Sequence, residues 1–210
     1  SGFSLQGEEA LFRGYLHESS YTVAGFSKGA IDAVEFALVT RTRIDRLQLI
    51  SPAFFLDKDR AFKEKQLESF RKNRKLYLRQ FLKNIAYPAK KDLTPYLAEE
   101  EEKEKSIKST LSEQSPKSYA NAEFCSAQGS RADKPRLDFL NVMALEEQLF
   151  CLLHYPWERE KLQALSSRGI TLEVYLGGRD RIIDPVAVMA YFKPFATVYF
   201  IKKGGHILDG

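Results

Sequence analysis

Apolar and polar residues follow two patterns along the chain, one typical of β-strands and one typical of α-helices, and these patterns predict its secondary structure. Short runs of β-prone residues predict strands at 21–24, 44–50, 170–176 and 197–201. Apolar residues at helical spacing predict helices at 8–16, at Lys28–Leu38 and at Pro185–Phe192, the last with Asp184 as its N-cap. Because strands and helices alternate at both ends of the chain, we predict an α/β fold with a mainly parallel sheet.

The middle of the chain follows a different pattern. Between residues 57 and 157 no run resembles a strand, and an apolar stripe predicts one long helical stretch at Lys58–Asn84. Residues 106–136 are rich in Ser, Lys, Ala and Gln, a composition that forms a poor core. We therefore predict a core built from residues 1–56 and 158–210, with residues 57–157 as a helical insertion that acts as a lid.

Composition bounds the class of protein. The 210 residues, 44% hydrophobic and 29% charged, suit one globular domain without a membrane span. No basic region followed by an apolar run marks a signal peptide, and Cys125 and Cys151 are widely spaced, so we expect free thiols in a cytoplasmic protein. The three histidines, His17, His154 and His206, lack the spacing of metal ligands, and no metal site is predicted.

The sharpest motif is Gly25-Phe26-Ser27-Lys28-Gly29, which matches G-x-S-x-G. A predicted strand precedes it and a predicted helix follows, which is the context of a nucleophile elbow. The turn raises the serine hydroxyl above the sheet and needs neighbours nearly without side chains, a role that suits Gly25 and Gly29. The alternative is a glycine-rich turn that serves packing alone.

A serine nucleophile needs a base, and the base needs an orienting carboxylate. Asp180 follows the strand at 170–176 and His206 follows the strand at 197–201, so both should lie at the same sheet edge as Ser27. The chain order Ser, Asp, His is that of α/β-hydrolases. Asp184 is the rival acid, although its place before Pro185 favours a helix cap. For His206, the alternative is a histidine in a surface loop.

Two backbone N–H groups are needed to stabilise an oxyanion. One should belong to Lys28, the residue after the nucleophile. Phe3 is the candidate for the other, with its strand in the residues before Ser1. Because Ser27 follows so soon after Phe3, the sheet should be a reduced one of about five parallel strands.

With these residues placed, the chain is similar to the α/β-hydrolase superfamily. More closely, it resembles the BioV family of pimeloyl-acyl-carrier-protein methyl ester esterases. The stretches that carry the resemblance are Ser1-Gly2-Phe3, VAGFSKGAI at 23–31, ISPAFF at 50–55, LGGRDRIID at 176–184 and GHIL at 205–208.

The resemblance implies a specific reaction. The family removes the methyl ester of pimeloyl-acyl-carrier protein, releases methanol and so ends chain elongation in biotin biosynthesis. Carried over by motif, Ser27 attacks the ester carbonyl, His206 moves the proton and Asp180 holds the imidazole. No cofactor is implied, and the implied partner is an acyl carrier protein that bears a methyl pimeloyl group.

The charge distribution is uneven. The whole chain has 32 Lys or Arg and 28 Asp or Glu, but residues 57–91 hold twelve basic and four acidic residues, a net charge of +8. Because acyl carrier proteins are acidic, we expect docking through this segment. The candidates are Arg71, Lys72, Arg74, Lys75 and Arg79. The alternatives are a solvated helix face, a membrane-binding surface and a nucleic-acid-binding site. The predicted triad disfavours the membrane and the nucleic-acid alternatives.

Other functions stay open. The same residues would serve a general carboxylesterase or an acyl thioesterase with another acyl substrate. A non-catalytic carrier-binding module is a third possibility, and the intact order of Ser27, Asp180 and His206 argues against it.

Overall fold

Four parallel strands form one sheet in the computed structural model, which describes residues 7–17, 19–89, 91–93 and 142–210. The strands lie in the order β1 (Thr22–Phe26), β2 (Arg46–Ile50), β3 (Thr171–Gly177) and β4 (Thr197–Ile201). Each pairs in parallel with its neighbour, with Phe26 opposite Ile50 and Gly177 opposite Ile201. The predicted α/β class with a parallel sheet is confirmed. The strand predicted before Ser1 lies outside the described residues.

Helices connect the strands. In the described ranges they are α1 (Lys28–Val39), α2 (Arg60–Lys72), α3 (Arg74–Ala86), α4 (Val142–His154), α5 (Arg159–Ser167) and α6 (Pro185–Phe192). The helix predicted at 8–16 is a shorter 3₁₀ helix, Glu8–Phe12, and α5 was not predicted. In the described part of the chain, no helix combines the length and the apolar character that crossing a membrane requires.

The helical stretch predicted at Lys58–Asn84 is wrong as a single element, because it breaks at Asn73. This residue has φ −156° and ψ 86°, and its side-chain oxygen accepts a hydrogen bond from the N–H of Leu76 at 3.0 Å. Asparagine favours such a cap because its short polar side chain bonds nearby backbone groups. The break gives two shorter helices, of which α2 packs against both α3 and α4.

The central strands are buried on the face covered by α1, α5 and α6. Leu47, Leu49, Val174 and Leu176 are fully inaccessible and form the middle of the main core. Along β2 and β3 these apolar residues alternate with polar ones, and because successive side chains of a strand point to opposite faces, they lie together on one face of the sheet. Burial of each such side chain contributes roughly 1.5–3 kcal/mol. The rigid sheet fixes the strand ends from which the predicted site residues project.

The opposite face carries a buried polar network. The Gln48 amide donates to the Glu173 carboxylate at 3.0 Å and to the carbonyl of Tyr15 at 3.1 Å, and it accepts from the backbone N–H of His17 at 2.8 Å. The Tyr175 hydroxyl donates to Glu173, and burial, with that carboxylate, raises the pKa of Tyr175 to about 12. These bonds satisfy groups that would otherwise be costly to bury, and they hold the backbone at Tyr15 and His17 against the sheet.

Candidate active site

The turn between β1 and α1 holds Ser27 in a strained conformation. Its φ is 52° and its ψ is −115°, and its side chain is buried. The Ser27 N–H donates to the carbonyl of Ile50 at 2.9 Å, and the Ser27 carbonyl accepts from Ala53 N–H at 3.1 Å. Left-handed backbone is uncommon for a residue with a side chain, and it persists where surrounding bonds enforce it. The sharp turn sets the hydroxyl above the carboxyl ends of β1 and β2.

Gly25 is required because the turn brings backbone very close. A Cβ at this position would lie 2.1 Å from the carbonyl oxygen of Gly29. Because this oxygen belongs to the backbone, a change of side-chain rotamer would not relieve the clash. The two glycines of the motif therefore meet each other across the start of α1.

The Gly25→Ala variant should accordingly lose about 3 kcal/mol or more of its free energy of unfolding, because a methyl group is forced against rigid backbone. Gly14→Ala is the matched control, since no atom lies within 4 Å of a Cβ built there. Urea unfolding followed by circular dichroism measures both. Equal stability of the two variants would show that the close approach at Gly25 is not a constraint.

His206 lies in the loop after β4, within reach of Ser27. Its Nε2 is 3.1 Å from Ser27 Oγ, and its Nδ1 is 2.7 Å from Asp180 Oδ2. The side chains of His206 and Asp180 are both fully inaccessible to solvent. The structure thus brings the three predicted residues into one continuous hydrogen-bonded chain.

Asp180 is oriented by its own loop. One carboxylate oxygen, Oδ1, accepts from the N–H of Ile182 at 2.7 Å and from the N–H of Ile183 at 3.2 Å. The other oxygen is thereby turned to His206. Two backbone donors and the imidazole together satisfy a carboxylate that is out of reach of water.

Asp184 lies elsewhere and has a different role. Its carboxylate accepts from the N–H groups of Val186 and Ala187 and caps the N-terminus of α6. The residue is exposed and makes no contact with His206 in the hydrogen-bond network described. The structure therefore confirms the predicted cap role of Asp184 and places Asp180 in contact with His206.

Apolar groups surround His206. The ring of Phe26 lies 5.1 Å from the imidazole, and Ile207 and Leu208 are buried beside it. Gly205 lies against the backbone carbonyl of Tyr87, which joins the histidine loop to the end of α3. In such surroundings water does not screen the hydrogen bonds of the triad, and the charge interactions are stronger than at the surface.

The first residue of α1, Lys28, places a backbone N–H beside the serine. An N–H at this helix position has no acceptor within the helix, so it is free to point at a ligand. The Lys28 side chain is turned to Asp32, with an ion pair of 2.8 Å. Phe3, the other predicted oxyanion donor, lies outside the described residues.

The basic residues predicted for docking lie on α2, α3 and their junction. Lys72, Lys75 and Arg79 are exposed, and Arg74 is half-buried. Arg71 is also exposed but donates to Glu146 of α4 at 2.6 Å, so its charge is partly engaged in the contact between two helices. Lys72, Lys75 and Arg79 form the more exposed part of this surface.

Two other sequence features are separate from the triad. His154 is exposed and stacks on Phe150 at 4.2 Å. Cys151 is half-buried, and Cys125 lies outside the described residues. No group of three or more His, Cys, Asp or Glu in the described ranges is arranged to hold a metal ion.

Ser51 was missed by the sequence reasoning. Its hydroxyl donates to the backbone carbonyl of His206 at 2.7 Å, and its side chain is completely buried. The available signal was its position, because Ser51 follows β2 directly and the carboxyl ends of parallel strands meet at one edge. In the sequence, however, Ser51-Pro52 looks like any pair of residues that ends a strand, and no motif marks Ser51 as part of a site.

Comparison with solved structures finds similar folds at low identity. An esterase from Exiguobacterium antarcticum matches with a TM-score of 0.42 and 12% identity, over 88% of this chain and 59% of that chain. A thioesterase domain from the curacin biosynthetic pathway matches with a TM-score of 0.35 and 14% identity, over 95% of this chain and 65% of that chain. This chain therefore spans less than two-thirds of either protein.

The sequence matches no family model and no curated protein. The chemistry of the site is therefore inferred from the geometry of its own residues.

Proposed function

We propose that this chain is a serine hydrolase that cleaves carboxylic esters. The observation that carries the proposal is the hydrogen-bonded chain from Ser27 through His206 to Asp180, with the serine on a strained turn at the start of a helix. Buried groups in this order match the roles of nucleophile, general base and orienting acid.

The reaction follows from these contacts. The Ser27 oxygen attacks the ester carbonyl carbon while His206 Nε2 takes the hydroxyl proton. The tetrahedral intermediate collapses, the C–O bond to the alcohol breaks, and the imidazolium gives its proton to the departing alcohol. Water then attacks the acyl-enzyme with His206 again as base, which releases the acid and restores the Ser27 hydroxyl.

Asp180 and the α1 terminus support the charges that develop. The buried Asp180 carboxylate keeps the proton on Nδ1, so that Nε2 can accept from Ser27, and it stabilises the imidazolium. The Lys28 N–H is one donor to the oxyanion, and Phe3 N–H is proposed as the other. Donors fixed before the reaction begins stabilise the transition state without further reorganisation.

For the substrate, we propose the methyl ester of pimeloyl-acyl-carrier protein, which would be cleaved to methanol and the free pimeloyl carboxylate in biotin biosynthesis. The resemblance of the motifs to the BioV family supports this choice, as does the excess of basic residues in 57–91. In this proposal an acyl carrier protein is the transient partner, residues 57–157 form the lid, and no cofactor takes part.

Two assays test the class and the substrate separately. Hydrolysis of short p-nitrophenyl esters, followed by absorbance, tests for an esterase. A gel shift of methyl pimeloyl-carrier protein after incubation tests the specific substrate. If soluble esters are cleaved and the carrier-linked ester survives, the enzyme is a general carboxylesterase. Cleavage of carrier-linked thioesters instead would indicate an acyl thioesterase, and carrier binding without any cleavage would indicate a binding module.

The docking surface gives a prediction of its own. The double variant Lys72→Glu/Lys75→Glu should lower kcat/KM for the carrier-linked ester by about tenfold at low salt, because electrostatic steering of an acidic partner is lost. Added salt should narrow the difference, since it screens the wild-type attraction. Hydrolysis of soluble esters should be unchanged.

The matched control is Arg41→Glu/Lys193→Glu, which makes the same change of charge at exposed positions outside α2 and α3. If both double variants lower kcat/KM equally, net charge rather than this surface governs the encounter. If neither does so, the docking proposal fails.

A further inference from the structure

We propose that Ser51 is a positioning residue, whose buried hydroxyl holds the backbone of the catalytic histidine in register with the nucleophile. The inference rests on the proposed function of the triad. It assigns a task to a residue whose hydroxyl bonds the backbone of His206 and not its imidazole.

The first observation is the conformation of Ser51. It lies directly after β2 with φ 42°, its side chain is fully inaccessible, and its N–H donates to the carbonyl of Tyr175 at 2.8 Å. A glycine would adopt this φ at little cost, whereas serine is strained there. Compared with glycine, serine adds a hydroxyl group, which donates to the carbonyl of His206 at 2.7 Å.

The second observation is that the same short segment also holds the nucleophile. Ile50, just before Ser51, accepts from the N–H of Ser27, and Ala53, just after Pro52, donates to the carbonyl of Ser27. Residues 50–53, which we term the brace, are therefore bonded to both loops. The nucleophile and the base are 179 positions apart in the sequence, and the brace links their backbones directly.

The third observation concerns strain. Among the described residues, the non-glycine positions with positive φ are Ser27, Ser51 and Leu208. Leu208 follows His206 by two positions. All three lie in the segments that meet at the triad. Strained backbone persists where the surroundings over-determine it, and the bonds of the brace provide that restraint.

The physical consequence is a fixed distance between His206 Nε2 and Ser27 Oγ. Among the described residues, Ser51 is the one that donates to the buried His206 carbonyl, so loss of its hydroxyl removes this bond, and the loop can respond by shifting. A misplacement of about 1 Å can reduce the rate about 100-fold, because proton transfer requires close alignment. Substrate binding depends on other groups, so the effect should appear in kcat.

The experiment compares Ser51→Ala, which removes the hydroxyl and keeps the strain, with Ser51→Gly, which removes both. We expect both variants to lower kcat for p-nitrophenyl esters by about 10- to 100-fold, with KM within about twofold of wild type. The rate at which a fluorophosphonate labels Ser27 should fall in parallel. Wild-type values of kcat and labelling rate in both variants would overturn the proposal.

Tyr155→Phe is the control for lost stability. It removes a hydrogen bond to Glu35, two turns along α1 from the site, and it should leave kcat unchanged. If it lowers kcat as Ser51→Ala does, a general loosening of the fold explains both results and Ser51 has no positioning role.

A readout that needs no substrate keeps the inference separate from the proposed function. The proton shared by His206 Nδ1 and Asp180 should give a low-field resonance in the wild type, broadened or shifted in both Ser51 variants and unchanged in Tyr155→Phe. An inactive, unlabelled wild type would overturn the proposed function alone. Unchanged resonances in the Ser51 variants would overturn the positioning role, whatever the activity.

Discussion

Replacing Ser27 with Ala should lower kcat for ester hydrolysis by a factor on the order of 10⁶, as expected when a triad nucleophile is removed. In the described part of the molecule, Ser27 carries the hydroxyl that bonds the imidazole of His206, whereas the Ser51 hydroxyl bonds the backbone carbonyl. The residual rate should come from binding and from the oxyanion donors alone. The measurement is p-nitrophenyl ester turnover with purified protein at saturating substrate.

The fold should survive this change. Ser27 keeps its backbone bonds to Ile50 and Ala53 when its side chain is shortened, so the thermal unfolding midpoint should stay close to that of the wild type. Ser167→Ala, at an exposed position at the end of α5, is the control for serine loss in general. Substantial activity in folded Ser27→Ala would mean that another residue is the nucleophile.

Replacing Asp180 with Asn should lower kcat by about 10⁴-fold. The side-chain oxygen can still accept from the N–H groups of Ile182 and Ile183, so the loop should keep its shape. The amide nitrogen would then face His206 Nδ1 and donate to it. That contact places the imidazole proton on Nε2, where it blocks acceptance of the Ser27 proton.

Asp184→Asn is the matched control, four residues away. Asparagine caps helices about as well as aspartate does, so both stability and activity should remain near wild type. The comparison requires only steady-state kinetics and a thermal melt of the two variants. A larger loss of kcat in Asp184→Asn than in Asp180→Asn would exchange the roles assigned to the two carboxylates.

The local motifs were predictable because their signals lie close together in the sequence. Gly25, Ser27 and Gly29 fall within five residues, and the strand and helix beside them have distinct periods. Asp180 and His206 each follow a strand, and parallel strands place their carboxyl ends at one edge. That rule is sufficient to predict that the side chains meet, although it gives no distance between them.

Other features depend on contacts that a sequence pattern does not display. The apolar stripe of residues 58–84 continues through Asn73, and the break depends on a cap that competes with the helix there. Ser51 bonds a carbonyl 155 positions away, so nothing beside it in the sequence marks its partner. The engagement of Arg71 by Glu146 likewise required the packing of α2 against α4.

Labelling with a fluorophosphonate tests the central claim most directly, because this reagent reacts with a serine whose proton is taken by a neighbouring base. We expect one adduct per chain, on the peptide that contains Ser27, and a loss of esterase activity in proportion to labelling. Ser27→Ala should take up no label. A folded wild-type protein that hydrolyses esters yet stays unlabelled, or that keeps full activity once Ser27 is modified, would contradict the assignment of Ser27 as the nucleophile.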